Sequence, residues 1–309
     1  MGTFHIILLV ALLAIGSAQA AEPRLKVALT FDDLPINGTL PAGKKQSDFA
    51  RDTIAVLKKH HIPPSYGFIN ANKLESNPDG ALALQIWVRG GHPLANHTYD
   101  HLNFTEHSAE DFQREILRNE PALELLMPEG GKHSWRWFRY PYLHEGDTLE
   151  KRRAVRAFLA NQGYRIAQTT LDWEDYIWNS SHARCSMKND DASIQWLKES
   201  YRNAARDFIR FQVANSRAVF GRDIHHVMLL HLGSFSSHIL PDLFKILDEE
   251  GFDIVTLEEA QQDPAYDYDP DLASPNGGTL VEQGMQAKRV PWPPNAPKFD
   301  RERLISICP

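Results

Sequence analysis

"KVALTFDDLPINGTLPAGKKQSDFARDTIAVLKKHHIPPSYGFIN", residues 26–70, decides the fold. A short apolar, β-rich run (26–31) leads into a helical pattern at 48–61, with apolar residues at Phe49, Ile54, Val56 and Leu57. A second β-rich run follows at 65–70. Strand, helix, strand in that order reads as a βαβ unit with parallel strands. The alternation continues. Strand-like runs recur as "GGHPLAN" (90–96), "WRWFRYP" (135–141), "YRIAQTTL" (164–171), "HHVMLLHL" (225–232) and "FDIVTL" (252–257). Helical patterns fall between them. The stretch 108–126 opens with Ser108 and Asp111 in capping-box spacing, while 148–163 and 240–251 end on Gly163 and Gly251. Seven such strands over roughly 235 residues predict an α/β fold, a closed or nearly closed (β/α) barrel of about seven parallel strands. In barrels of this type the chemistry sits at the C-terminal strand ends, so polar residues ending the strands are the candidates.

The chain has 309 residues, 42% apolar and 24% charged, with a net charge of −7. No basic tract or Lys/Arg stripe is visible, which argues against a nucleic-acid partner. No protein partner is indicated. Tryptophans recur at 135, 137, 173 and 178; each is either a platform for a sugar ring or part of the core. Residues 1–20 read as a signal peptide: the apolar run "FHIILLVALLAIG" is too short to span a bilayer and precedes the small-residue pattern "SAQA". The n-region has no Lys or Arg, so an uncleaved anchor is the alternative. Export to the periplasm or the exterior is therefore expected, with no stable membrane span after cleavage. Export permits disulfides, and the two cysteines, Cys185 and Cys308, form either one bridge or two free thiols. A catalytic domain is expected over 21–261. Residues 180–222 read as an insertion, a polar loop followed by a long helix, and 262–309 as an extended, Pro/Asp/Gly-rich tail packed on the domain. Asn-x-Ser/Thr sequons stand at Asn37, Asn96, Asn103 and Asn179; Asn96 falls among the candidate residues, where modification would be disruptive.

The strand ends carry chemistry in a definite order. The first ends in Asp32-Asp33; two adjacent carboxylates after a buried strand are costly unless paired or bound to a cation, although a turn or helix cap would also use them. The third ends in "NHTYDH". If residues 97–101 form a helical turn, His97 and His101 share a face and reach one ion, and imidazoles suit Zn²⁺ and neighbouring divalent metals. His92, earlier on that strand, reads as structural. The fourth ends in Arg139-Tyr140-Pro141-Tyr142. An Arg beside the Asp pair would fix one carboxylate and hold its pKa down. The fifth offers Asp172 and Asp175. The sixth runs into His231, either a core histidine or a functional one. Independent accidents would not collect at one rim.

These five segments resemble the five motifs of the polysaccharide deacetylase family, metal-dependent carbohydrate esterases with a nodulation-factor-deacetylase-type domain. "TFDD" is similar to the first motif, "HTYDH" to the second, "RYPY" to the third, "DWEDY" to the fourth and "LLH" to the fifth, in family order. The resemblance implies a distorted (β/α) barrel. It implies Asp33, His97 and His101 as ligands of a divalent metal, Zn²⁺ first and Co²⁺, Ni²⁺ or Mn²⁺ as alternatives. Asp32 becomes the general base, positioned by Arg139; His231 becomes the general acid, its pKa raised by Asp175; the backbone N–H of Tyr142 becomes an oxyanion donor. Two departures concern the substrate pocket: Tyr176 stands where the fourth motif usually closes with Trp, and Leu232 follows His231 where an acidic residue is common.

The implied reaction is removal of acetyl groups from an N-acetylated glycan, a chitin-like oligomer or peptidoglycan, by metal-activated water. An O-acetyl esterase acting on a xylan-type polysaccharide and an amidase acting on a small acyl compound use the same groups. A non-catalytic glycan-binding protein on this fold is the alternative of another class.

Overall fold

The computed structural model describes residues 23–127 and 134–309. The signal peptide expected at 1–20 lies outside them. Seven strands appear: β1 (Leu25–Leu34), β2 (Tyr66–Ile69), β3 (Leu94–Asn96), β4 (Trp137–Phe138), β5 (Arg165–Ile166), β6 (His226–His231) and β7 (Phe252–Val255). All pairings between them are parallel, in the order β5-β4-β3-β2-β1-β6, with β7 also on β1. Val27 pairs with both His226 and Ile254, so β6 and β7 flank opposite edges of β1, and β7 and β2 follow one another along one edge. Beyond β5 the chain returns to β6: Leu171 bridges Met228, and the Leu229 N–H donates to the Leu171 carbonyl at 3.0 Å. The sheet thus curls into a distorted barrel of seven parallel strands.

Helices cover the outside: α1 (Gln46–Lys59), α2 (Asn72–Ser76), α3 (Pro78–Arg89), α4 (Ala109–Leu126), α5 (Leu149–Asn161), α6 (Tyr176–Met187), α7 (Asp191–Phe220), α8 (Ser236–Glu249), α9 (Leu257–Ala260), α10 (Leu280–Lys288) and α11 (Arg301–Ser306). The caps follow the sequence. Ser108 accepts from the Asp111 N–H at the start of α4, and Gly163 and Gly251 take the left-handed conformation just past α5 and α8. Among the described residues no helix is long and apolar enough to cross a membrane.

Strand alternation sorts the core into two clusters. On β1, Val27, Leu29 and Phe31 pack in the large cluster shared with the helices, whereas Ala28 belongs to a small cluster with Tyr66, Phe68, Ala95, Trp137, Ala167 and Val227. The parity of that small cluster places the site. Asp32 follows Ala28 and Thr30 by twos, His97 follows Ala95, Arg139 follows Trp137, and His231 follows Val227 and Leu229. These four residues therefore continue the inward-facing register of their strands.

Two expectations need correcting, and one open choice is decided. Residues 180–187 are not a loop: they belong to α6, which buries Ile177, Trp178, Ala183 and Cys185, while Ser181 satisfies its hydroxyl on the carbonyls of Ile177 and Leu304. Its polar residues had concealed a helix whose hydrogen bonds go to the tail. The tail is not wholly extended either. In α10, Thr279 and Glu282 form a capping box, and Val281 and Met285 pack on Val219 of α7. The tryptophans at 135, 137, 173 and 178 are all buried, which leaves none of them as a sugar platform. Cys185 and Cys308 are bridged, tying α6 to the segment after α11.

Candidate active site

The residues at the strand ends converge on one cavity of about 540 Å³. Asp32, Asp33, His97, His101, Tyr140, Tyr142, Asp172, Tyr176 and His231 all line it.

Asp33, one residue past the inward register, bends to the cavity through a left-handed backbone (φ 65°). Its Oδ1 lies 3.3 Å from His101 Nε2 and 3.8 Å from His97 Nε2, and one ligand atom from each residue falls within 4.8 Å of the others. His97 and His101 do not sit on a helical turn. Residues 97–101 form a bend in which Thr98 and His101 have positive φ, and this brings the two rings to 4.9 Å. The bend is held by Asn70, whose side-chain amide donates to the carbonyls of His97 and Thr98. His97 Nδ1 contacts the Arg139 carbonyl at 2.8 Å; with the proton there, Nε2 is left as a free lone pair. Burial holds both imidazoles near pKa 4, so both are neutral at pH 7. Asp33 Oδ2 accepts from Asn37 at 2.9 Å, while the buried Oδ1 has no hydrogen-bond partner among the described residues. An ionised carboxylate oxygen without a hydrogen bond beside two neutral imidazole lone pairs is a donor set that fits a divalent cation. Ligands about 2.1 Å from a tetrahedral ion stand about 3.4 Å apart, close to the Asp33–His101 separation.

Asp32, 2% exposed, is gripped by Arg139: Nη1 donates to both carboxylate oxygens at 3.1 and 3.2 Å. Arg139 is itself locked, donating from Nε to the Ala167 carbonyl (2.6 Å) and from Nη2 to Thr30 Oγ1 (3.1 Å). The expectation that Arg139 holds the Asp32 pKa down is half right. Burial pushes the carboxyl up and outweighs the guanidinium, so the net direction is upward. A carboxylate raised in this way is a stronger base.

His231 Nδ1 lies 2.7 Å from Asp175 Oδ1, and its backbone N–H donates to Oδ2 at 3.0 Å. Burial alone would depress the imidazole. The Asp175 carboxylate, helped by Asp33 and Asp32, reverses this and raises it to about 9. Asp175 reaches His231 because α6 docks tightly at the end of β6. There Gly233 is required: a Cβ on it would stand 2.1 Å from Asn179 Cγ. Tyr176, the departure from Trp, packs edge-on to the His231 ring at 5.3 Å. Tyr142 turns its backbone at φ 57° beside the cavity, with its ring 4.4 Å from that of His101. His92 stays out of the site, accepting the Ser65 N–H.

Residues 19–167 match the family model described as polysaccharide deacetylase. The chain carries a polysaccharide deacetylase domain. The deacetylase match ends before Asp175 and His231, so the placement of those two rests on geometry. The chain is 26% identical over 153 residues to a peptidoglycan-N-acetylglucosamine deacetylase of Bacillus cereus, covering 50% of this chain and 47% of that one. It is 29% identical over 150 residues to a chitooligosaccharide deacetylase of Sinorhizobium fredii, covering 48% and 59%. The chain thus spans about half the length of these relatives. Among solved structures, the chitin deacetylase of Colletotrichum lindemuthianum shares the fold, with a TM-score of 0.52 and 20% identity over 77% of this chain and 88% of that one.

Sequence reading of the deacetylase domain missed several neighbours. Lys73 donates to the Asp33 carbonyl at 2.8 Å and has its Nζ 3.7 Å from Asp33 Oδ1. Asn276, Gly278 and Glu282 of the tail also line the cavity. No local pattern marks any of them, because all arrive from elements remote in sequence.

Proposed function

We propose that this chain is an exported, metal-dependent deacetylase that removes N-acetyl groups from a glycan of the chitin or peptidoglycan type. Residues 21–261 are read as the catalytic domain, with 180–222 inserted and 262–309 packed on it. The observation that carries the reading is the pairing of two opposed proton-transfer devices, Asp32–Arg139 and His231–Asp175, around the Asp33–His97–His101 triad in a single cavity.

A divalent cation held by the triad, Zn²⁺ first, would supply Lewis acidity to the acyl oxygen and lower the pKa of water. Asp32, raised by burial, takes the proton of the attacking water, and Arg139 keeps its carboxylate aimed. The Tyr142 N–H is the candidate donor to the oxyanion that forms at the acyl carbon. His231 is cationic at neutral pH and donates its proton to the leaving nitrogen, while Asp175 balances the charge. An amine is a poor leaving group, so a histidine kept protonated favours amide over ester hydrolysis. The comparisons support the reading through the relatives' printed activities on peptidoglycan and chitooligosaccharides. The Cys185–Cys308 bridge supports export, since disulfides persist in oxidising compartments. The test is acetate release from chitooligosaccharides, peptidoglycan glycan and acetylated xylan. It should be abolished by chelator and restored by Zn²⁺ or Co²⁺; glycan binding with no turnover on any substrate would favour a binding protein instead.

A further inference from the structure

The cavity wall beyond the triad and the two proton-transfer pairs is one-sided in charge. Its remaining ionisable carboxyls are Asp172, Glu174 and Glu282, and among the described residues no Lys or Arg lines it. Glu174 is neutralised by Arg301 of α11, whose Nη1 lies 2.5 Å from Oε2. Asp172 sits close enough to Glu282 to feel its charge. Glu282 has no ion-pair partner among the described residues; its Oε2 accepts the Thr279 N–H at 2.7 Å as the cap of α10. The wall also holds an unmatched polar group. The Tyr140 hydroxyl, on a residue 2% exposed that lines the same cavity, has no hydrogen-bond partner among the described residues. An unmatched buried hydroxyl is costly unless something binds it.

The wall is rigidly mounted. The Leu280 N–H donates to the Thr169 carbonyl at 2.8 Å, and Ser274 bridges Gly146. Gln283 donates to the buried Glu145, which also pairs with Arg152 and Arg156; these in turn hold Asp269. The tail therefore acts as part of the active-site wall, fixed from inside the domain.

We propose that the tail segment 274–282 selects the substrate, with Glu282 favouring uncharged N-acetylated glycans of the chitin type over glycans whose sugars carry carboxylates. The proposal rests on the deacetylase reading above and narrows its substrate class. A neutral oligomer presents only hydroxyls and amides, which carry no charge for Glu282 to repel. A lactyl carboxylate on an adjoining sugar that reaches the Glu282 side of the cavity would meet a like charge there, since the cationic His231 is already held by Asp175 and no Lys or Arg lines the cavity among the described residues. For like unit charges at about 8 Å, the discrimination runs from about twofold at the dielectric constant of water to about thirtyfold at an effective value near 20.

The experiment compares two tetrasaccharides of equal length, one built of N-acetylglucosamine alone and one in which alternate sugars carry a lactyl carboxylate. kcat/KM is measured for the metal-loaded wild type and for Glu282→Gln, at low and high salt. Gln preserves the helix-capping bond. The expected result is a wild-type preference for the neutral glycan that shrinks at least about twofold in Glu282→Gln, with the difference between variants fading as salt screens it. An unchanged preference ratio in Glu282→Gln, or a wild-type preference for the carboxylate glycan, overturns the proposal. Calorimetric binding of both glycans in an Asp32→Asn background separates the two readings. A Glu282-dependent contrast in binding with no wild-type turnover removes the activity and keeps the selecting wall. Turnover with no contrast keeps the activity and removes the wall.

Discussion

The sharpest consequence of the site concerns Asp175→Asn. In the wild type, burial works against a charged His231, and the Asp175 carboxylate at 2.7 Å overcomes it, raising the imidazole to about 9. With that charge removed, burial dominates and the pKa should fall to its ordinary value of about 6.5 or below. At pH 7.5 the protonated fraction then drops from about 97% to under about 10%. A general acid needs the protonated form, so activity should persist up to about pH 9 in the wild type and be lost as pH rises through that value. In the variant the same loss should occur some 2.5 units lower, by rough subtraction of the ordinary value. The population effect alone costs about tenfold at pH 7.5, and complete loss of general acid catalysis costs 10²–10⁴-fold on the usual scale. Misalignment adds to this, because Asp175 also accepts the His231 backbone N–H and one Asn oxygen cannot serve both donors well. The assay is the pH dependence of kcat on an N-acetylated oligomer, run beside an activated acetate ester whose leaving group needs no proton. The oligomer profile should shift and the ester rate should change far less. An alkaline limb that stays in place in Asp175→Asn, or an equal loss on both substrates, refutes the assignment of His231 as an acid tuned by Asp175.

Other expectations follow from the same contacts. His101→Ala or Asp33→Ala should reduce bound metal from about one ion per chain to near none, with acetate release lost in step, while His92→Ala should leave metal content unchanged by elemental analysis. Arg139→Leu leaves Asp32 a buried, unpaired charge and should lower unfolding free energy by about 3–5 kcal/mol at pH 7. Since that carboxyl already titrates above its ordinary value, the deficit should narrow as pH falls and Asp32 protonates; urea melts at several pH values read this. Cys308→Ser opens a bridge spanning 123 residues of sequence and should cost about 2–4 kcal/mol in the same melts, without altering the pH profile of kcat.

Much of this protein was legible in the order of its residues. The alternation of β-rich runs with helical patterns depends on local periodicity, so the seven parallel strands and the helices at 46–59, 109–126 and 149–161 could be read directly. The functional residues were legible for a related reason. Strand parity and strand ends are local properties, and Asp32, His97, Arg139 and His231 sit at the ends of runs whose inward register they continue. Where the reading erred, tertiary contacts had overridden local pattern. His97 and His101 converge through a left-handed bend held by Asn70, not through a helical turn, and the polar stretch 180–187 is a helix whose Ser181 hydroxyl and Arg184 guanidinium bond to carbonyls of the tail. The net direction of the Asp32 pKa could not be read either, because the Arg139 contact is a pairwise fact but desolvation depends on everything that surrounds the carboxyl. Sequence alone therefore determined the barrel, the order of the motifs and the candidate ligands and proton carriers, all properties carried by neighbouring residues. Only the tertiary structure decided how strongly each proton is held and which wall faces the substrate. Those depend on burial and on groups such as Lys73 and Glu282, brought within a few ångströms of the site from elements that no local spacing connects to it.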